Sequence, residues 1–266
     1  MKTVALERMS VSLDGVRVVS ELSLDVGPGE WVGLIGPNGA GKTTVLRAVA
    51  GLAEYEGRMR VFQEEVASLS RRDVARRIAL VPQNPVIPPD MSVLEYVLLG
   101  RTPHVSYLGS PSAGDVGACR SALGRLDAAH LADRRLGSLS GGERQRAVLA
   151  RAIAQEAPLV LLDEPTTALD VGAQQQVLEL VAGLRASGNL TVLSAMHDLT
   201  VAGQYADRLV LLDGGREVAS GVPAEVLTEA LIARHYGASV LVVSDPEAGI
   251  SVVPLRPRLE MEERVV

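Results

Sequence analysis

The stretch Gly36-Pro37-Asn38-Gly39-Ala40-Gly41-Lys42-Thr43-Thr44 constrains this chain more than any other. It follows the spacing glycine, four residues, Gly-Lys, then Ser or Thr. Trp31-Val32-Gly33-Leu34-Ile35 runs into it as a short apolar strand, and Val45-Leu46-Arg47-Ala48-Val49-Ala50 leaves it as a helix that Gly51 is placed to stop. Strand, glycine loop and helix together make a cradle for phosphates. Glycines let successive N–H groups face one point, and the helix adds the positive end of its dipole there. Lys42 supplies a point charge for β- and γ-phosphates, and the Thr43 hydroxyl suits Mg²⁺.

The bulk properties restrict the setting. A chain of 266 residues holds one large domain or two small ones, and 47% hydrophobic with only 3% aromatic residues predicts a core of Leu, Val, Ile and Ala. A net charge of −6 disfavours nucleic acid as the partner. The single Cys119 permits neither an internal disulfide nor a cysteine metal site, which fits a reducing compartment. No apolar run approaches the ~20 residues of a membrane span, and Glu7 and Arg8 stand where a signal peptide needs an apolar core. The expectation is a chain soluble by itself, reaching a membrane only through a partner.

In chain order, residues 4–26 read as two or three antiparallel strands around an Asp14-Gly15 turn, and 57–62 as another strand. Residues 68–77 read as a helix capped by Ser70, with Arg71, Arg72, Arg76 and Arg77 on a solvated face. Ile78-Ala79-Leu80-Val81 is an apolar strand ending at Pro82-Gln83-Asn84-Pro85, a stiff non-helical break. Ser92 is placed to cap a helix over 93–99. After a Gly/Ser/Pro-rich loop, 115–131 reads as a helix, and another runs from Leu139 to about Gln155. Leu159-Val160-Leu161-Leu162 predicts a strand buried on both faces. A helix over 172–185, a strand over 190–196 and a helix over 199–205 follow. A hairpin turns at Gly214-Gly215, and 223–235 holds one or two short helices. Residues 240–243 and 250–253 form a last hairpin around Asp245-Pro246-Glu247-Ala248-Gly249, and the tail after Pro257 frays.

Four polar stations each follow an apolar strand: the glycine loop, Gln83, Asp163-Glu164 and His197. In an open parallel sheet ligands bind beyond the carboxyl ends of the strands, so these stations converge on one crevice. Asp163 orients Mg²⁺ directly or through water, and Glu164 positions or deprotonates the attacking water. His197 accepts a hydrogen bond from that water or contacts the γ-phosphate, and the Gln83 amide reaches the water or Mg²⁺. Ser140-Gly141-Gly142 opens a second helix suited to an anion, which makes sense if it completes the site of another copy.

Leu139-Ser140-Gly141-Gly142-Glu143-Arg144-Gln145 resembles the signature motif of ATP-binding cassette (ABC) ATPases. Residues 36–44, Gln83, Leu162-Asp163-Glu164, Ala168-Leu169-Asp170 and His197 stand in that family's order, so the resemblance covers about residues 4–235. It implies an α/β fold: a P-loop NTPase (RecA-like) core within residues 1–236, an antiparallel β subdomain and an inserted α-helical subdomain at about 84–155. Residues 237–266 are then a short C-terminal extension. It further implies a head-to-tail homodimer sandwiching two ATP molecules with Mg²⁺. Ser140 and Gly142 of one chain face the γ-phosphate on the other, and Asp170 lies at the seam. Leu13 occupies the place where the family stacks an aromatic side chain on adenine, so base selectivity should be modest. Leu98-Leu99-Gly100-Arg101-Thr102-Pro103-His104 and Ala132-Asp133-Arg134-Arg135 resemble the importers of iron–siderophores, haem and cobalamin. That likeness implies peripheral attachment at the cytoplasmic face of the membrane. A separate permease would place a coupling helix in a groove near Gln83, and an extracytoplasmic binding protein would deliver the ligand. A soluble ABC-type ATPase of DNA repair or translation is the alternative. The single cassette and the acidic balance argue against it.

Overall fold

Trp31–Ile35, Leu159–Asp163 and Thr191–Ala195 are buried along their whole length, as strands covered on both faces must be. The computed structural model describes residues 2–106, 109–167, 169–188, 190–245 and 249–256. Strands β1 (Val4–Leu13) and β2 (Val16–Val26) lead into β3 (Trp31–Ile35), the glycine loop and helix α1 (Lys42–Val49). β4 (Glu56–Val61), β5 (Glu64–Glu65), α2 (Arg71–Arg77) and β6 (Ile78–Val81) follow, then α3 (Val93–Leu98), α4 (Ala113–Arg125) and α5 (Gly141–Ala154). β7 (Leu159–Asp163), α6 (Val171–Gly188), β8 (Thr191–Ala195), α7 (Leu199–Tyr205), β9 (Arg208–Asp213) and β10 (Arg216–Gly221) come next. The last described elements are α8 (Pro223–Val226), α9 (Glu229–Tyr236) and the hairpin β11 (Val240–Asp245) with β12 (Gly249–Pro254).

The central sheet has the order β10-β9-β3-β8-β7-β6, parallel except for the β9–β10 hairpin at its edge. A second sheet, β2-β1-β4-β5, is antiparallel. Side chains of β3 alternate between two apolar clusters, as strand geometry requires. Val32 and Leu34 join the cluster shared by the antiparallel sheet and α1, while Trp31 and Ile35 join the one beneath α3, α4, α5 and α6. Helices α3, α4 and α5 pack on one another, each opened by a reciprocal capping box: Ser92 with Glu95, Ser112 with Asp115, Ser140 with Glu143. No helix among the described residues is long and apolar enough to cross a membrane.

Three expectations change. The helix expected over 68–77 begins at Arg71; Ser68 ends a separate 3-10 turn, and Ser70 caps α2 from an extended backbone. The helix expected over 115–131 starts two residues earlier, at Ala113, and stops at Arg125. The backbone reverses at Asp127, with φ 49°, before a 3-10 turn at Ala129–Leu131. Leu126, Ala128 and Leu131 stay buried, so helical spacing of apolar residues outlasts the helix. The α2 arginines are not simply solvated. Arg72 donates to the carbonyls of Pro103 and Val105 at 2.8 and 2.6 Å, and Arg76 to Pro103 at 3.0 Å. Ala168, the turn residues 246–248 and the tail from Pro257 lie outside the described residues.

Candidate functional site

The four expected stations lie along one rim of the central sheet. The loop follows β3, Gln83 follows β6, Asp163 ends β7 with Glu164 next, and His197 follows β8. β3, β8, β7 and β6 are parallel neighbours in that order, so their carboxyl ends share one side of the sheet.

Two of the loop's glycines, Gly36 and Gly41, are required by their neighbours as well as by the backbone. At Gly36, with φ 145°, a Cβ would sit 2.1 Å from the Leu212 carbonyl oxygen; at Gly41, with φ 97°, it would press on the Val18 carbonyl at 3.1 Å. Gly41 begins α1 without a side-chain cap, so the first N–H groups of that helix have no intrahelical partner and remain open to a ligand. They border a hollow of about 160 Å³ lined by residues 38–44, Val18 and Glu164.

Lys42 is only 6% exposed. Its ammonium lies back over the loop and donates to the Gly36 and Pro37 carbonyls at 2.6 and 3.1 Å. Burial pulls its pKa below the ordinary lysine value, against the nearby Glu164 and Asp163 charges. The Thr43 hydroxyl donates to Asp163 Oδ1 at 2.8 Å. Burial likewise holds the Asp163 carboxyl above its ordinary value, opposed chiefly by that hydroxyl.

Glu164 gathers the remaining stations. Its backbone is left-handed, φ 48°, and its N–H donates to the Ala195 carbonyl of β8 at 3.1 Å. Carboxylate oxygen Oε2 accepts from Gln83 Nε2 at 2.6 Å and from the Thr167 hydroxyl at 3.1 Å, and stands 3.9 Å from His197 Nδ1. Thr167 and Val18 are site neighbours that the sequence reading missed. Thr167 was findable: a threonine can bond back to the carbonyl three residues earlier, and its N–H and hydroxyl both reach the Glu164 carbonyl. Val18 had no such signal, since its approach depends on how β2 crosses the loop.

The other expected residues stand apart from this hollow. Ser140 N donates to Glu143 Oε2 at 2.8 Å and its hydroxyl accepts from Glu143 N at 3.3 Å. Gly141 and Gly142 lie beside Leu169 and Ala173. Asp170 Oδ1 accepts from Ala173 N at 2.8 Å in the first turn of α6. Leu13, 46% exposed, sits at the tip of the β1–β2 hairpin opposite Val16, which is 66% exposed.

The family model described as ABC transporter matches residues 19–167. The cobalamin import ATP-binding protein BtuD of Halobacterium salinarum is 41% identical over 96% of this chain, which spans 64% of that protein's length. The ferric enterobactin transport ATP-binding protein FepC of Escherichia coli is 38% identical over 94% of this chain and 93% of its own. Among solved structures, a chain of an inward-facing ABC transporter assigned to the metal-chelate type superposes with TM-score 0.83 at 30% identity, covering 96% of this chain and 98% of that one. The chain belongs to the ABC transporter family, among its ATP-binding proteins.

Proposed function

We propose that this chain hydrolyses ATP as the motor subunit of a membrane importer for an iron–siderophore, haem or cobalamin-type ligand. The observation that carries the hydrolytic part is the convergence on Glu164 Oε2 of Gln83, Thr167 and His197, at the border of the glycine-loop hollow. Lys42 and the free N–H groups of α1 would hold the β- and γ-phosphates, Lys42 exchanging its two carbonyl partners for them. Glu164 would orient the attacking water and take its proton, Gln83 would help hold that water, and His197 would reach the γ-phosphate. Electrostatic stabilisation of the transferring phosphoryl group dominates such catalysis.

Mg²⁺ fits Thr43 and Asp163. A hydroxyl and a buried carboxylate already meet there, and burial disfavours that carboxylate's charge unless a cation offsets it. Among the described residues no cluster of three or more His, Cys, Asp or Glu could hold a metal. The remaining ligands would be phosphate oxygens and water, as Mg²⁺ prefers. The ion would neutralise charge on the phosphate oxygens.

Ser140, Gly141, Gly142 and Asp170 would serve a second copy. α5 presents an exposed N-terminus that nothing in its own hollow uses. A head-to-tail homodimer would bring it to the partner's nucleotide. The permease would seat a coupling helix in a groove of about 1,110 Å³ between α2 and α3, lined by Arg71, Met91, Leu98, Leu99, Pro103 and Val105. Residues 84–155 then form the arm that builds this groove together with α2, and the chain works at the cytoplasmic membrane face of a transporter supplied by an extracytoplasmic binding protein.

Cysteines placed at Asn38 and Ser140 test the pairing, because the native Cys119 is buried. With ATP and Glu164→Gln in the same chain, a crosslink between copies is the expected result. No crosslink in that chain at any protein concentration, while the same cysteine pair with Glu164 intact turns ATP over robustly, would overturn the two-copy site. Co-purification with ribosomes or DNA, and with no membrane protein, would overturn the importer.

A further inference from the structure

The segment after α9 has no place in the mechanism above, yet it packs against the helix that follows His197. His197 itself is lightly held. Its side chain is about half exposed, and its approach to Glu164 is 3.9 Å. Its position therefore rests on the backbone at either side. Upstream, Met196 N donates to the β3 carbonyl of Leu34 at 2.9 Å. Downstream, Asp198 caps α7 through Val201 N at 3.0 Å, so α7 sets the direction in which the chain leaves His197. But α7 spans only 7 residues, too short to hold itself.

It is held from beneath by β3, where Tyr205 meets Trp31, and most extensively by the hairpin. The Thr200 hydroxyl accepts from Val252 N at 3.0 Å and donates to Val252 O at 3.3 Å, satisfying both backbone groups of one β12 residue. Gly203 lets β12 lie directly on the helix: a Cβ there would meet the Ile250 carbonyl oxygen at 3.0 Å. Ile250 is buried between them, and Val242 and Val252 pack against the same apolar cluster as α7 residues Leu199, Val201 and Tyr205.

We infer that the β11–β12 hairpin positions His197, with Thr200 as the positioning residue that transmits its hold. This rests on the reading that His197 acts in ATP hydrolysis. The hairpin then governs the chemical step and leaves nucleotide binding to the glycine loop on β3.

The test is steady-state ATP hydrolysis by the full chain carrying Thr200→Val, which keeps the side chain's shape and removes the hydroxyl. The expected result is a kcat lowered about tenfold with KM for ATP and thermal midpoint little changed, and recovery in Thr200→Ser. In a chain already carrying His197→Ala, Thr200→Val should cost nothing more. A full kcat in Thr200→Val overturns the inference. An equal further loss on the His197→Ala background also overturns it, because the hairpin would then act by another route. If His197→Ala alone keeps full turnover, the histidine's assigned role is wrong and the inference falls with it, a result distinct from the other two.

Discussion

Helices α1 and α5 both begin at glycines beside a candidate anion site, but they treat their first N–H groups oppositely. α1 starts at Gly41 with no side-chain cap, and Lys42 and Thr44 in its first turn are buried. α5 starts at an exposed Ser140 whose hydroxyl and backbone are both engaged by Glu143. An uncapped, enclosed helix end keeps its donors for a ligand that arrives from solution. A capped, exposed end is stable without one and offers only its outermost donors to a partner's surface. In the proposed reading, the same local motif marks a site complete in one chain and a half-site that needs two.

That contrast can be broken at several points. The largest effect belongs to the α1 side. Glu164→Gln should lower phosphate release by about 10²–10⁴, the range for a lost general base, while ATP still binds and gathers the protein into dimers visible by light scattering. Fast steady-state hydrolysis by this variant would remove Glu164 from the reaction. Lys42→Ala should weaken ATP binding about a hundredfold, the scale of ~3 kcal/mol for one lost partner of a buried charged contact; calorimetry on the dilute protein measures it.

Ser140→Ala sharpens the comparison. It should cost about 1 kcal/mol of folding stability through the lost cap, read from the urea midpoint. ATP binding to dilute, monomeric protein should not change. If it weakens that binding as Lys42→Ala does, the division between one-chain and two-chain sites is wrong.

The capping box of α4 extends the contrast to pH. Asp115 is held down from 3.8 to about 2, first by the Ser112 hydroxyl and N–H and then by Arg101. A depressed folded pKa gives stability that is present above 3.8 and lost as the pH falls through about 2. Asp115→Asn should therefore flatten the acid limb of the stability profile between pH 4 and 2 relative to the wild type. An unchanged limb would show that other carboxylates set it.

The smallest effect concerns the base. In the proposed reading Leu13 and Val16 would offer the base aliphatic surface and no hydrogen bond to its edge, so competition binding should separate ATP from GTP by only a few-fold. A strong ATP preference would point to polar contacts elsewhere.

Much of this was legible in the sequence, and the reasons are specific. β3 and β7 were readable because strands buried on both faces run almost wholly apolar, and the polar stations stand at or close behind the ends of β3, β7 and β8: the glycine loop, Asp163-Glu164 and His197. The glycine loop was readable because its φ values exclude most other residues. The fastening of the helical arm was not. Arg72 and Arg76 find main-chain carbonyls about thirty positions away, and a carbonyl leaves no mark in a sequence. The Leu98–His104 run, taken as a hint of the transported ligand, is also part of that fastening. Arg101 is buried against Asp115 and the Ala154 carbonyl, and Gly100 lies so near the Arg151 carbonyl that a Cβ would come within 2.1 Å. Gly100 and Arg101 are accounted for by packing between α3, α4 and α5, whatever the rest of the run serves.

Trp31 is the chain's sole tryptophan, fully buried with its ring centroid 5.9 Å from that of Tyr205 and its indole N–H donated to Ser194 at 2.9 Å. It lies beneath α7, on the strand that ends in the glycine loop. The molecule therefore carries its own optical gauge. Shifts in indole emission would follow loosening of that helix, with no dye attached and no second chromophore of its kind to blur the signal.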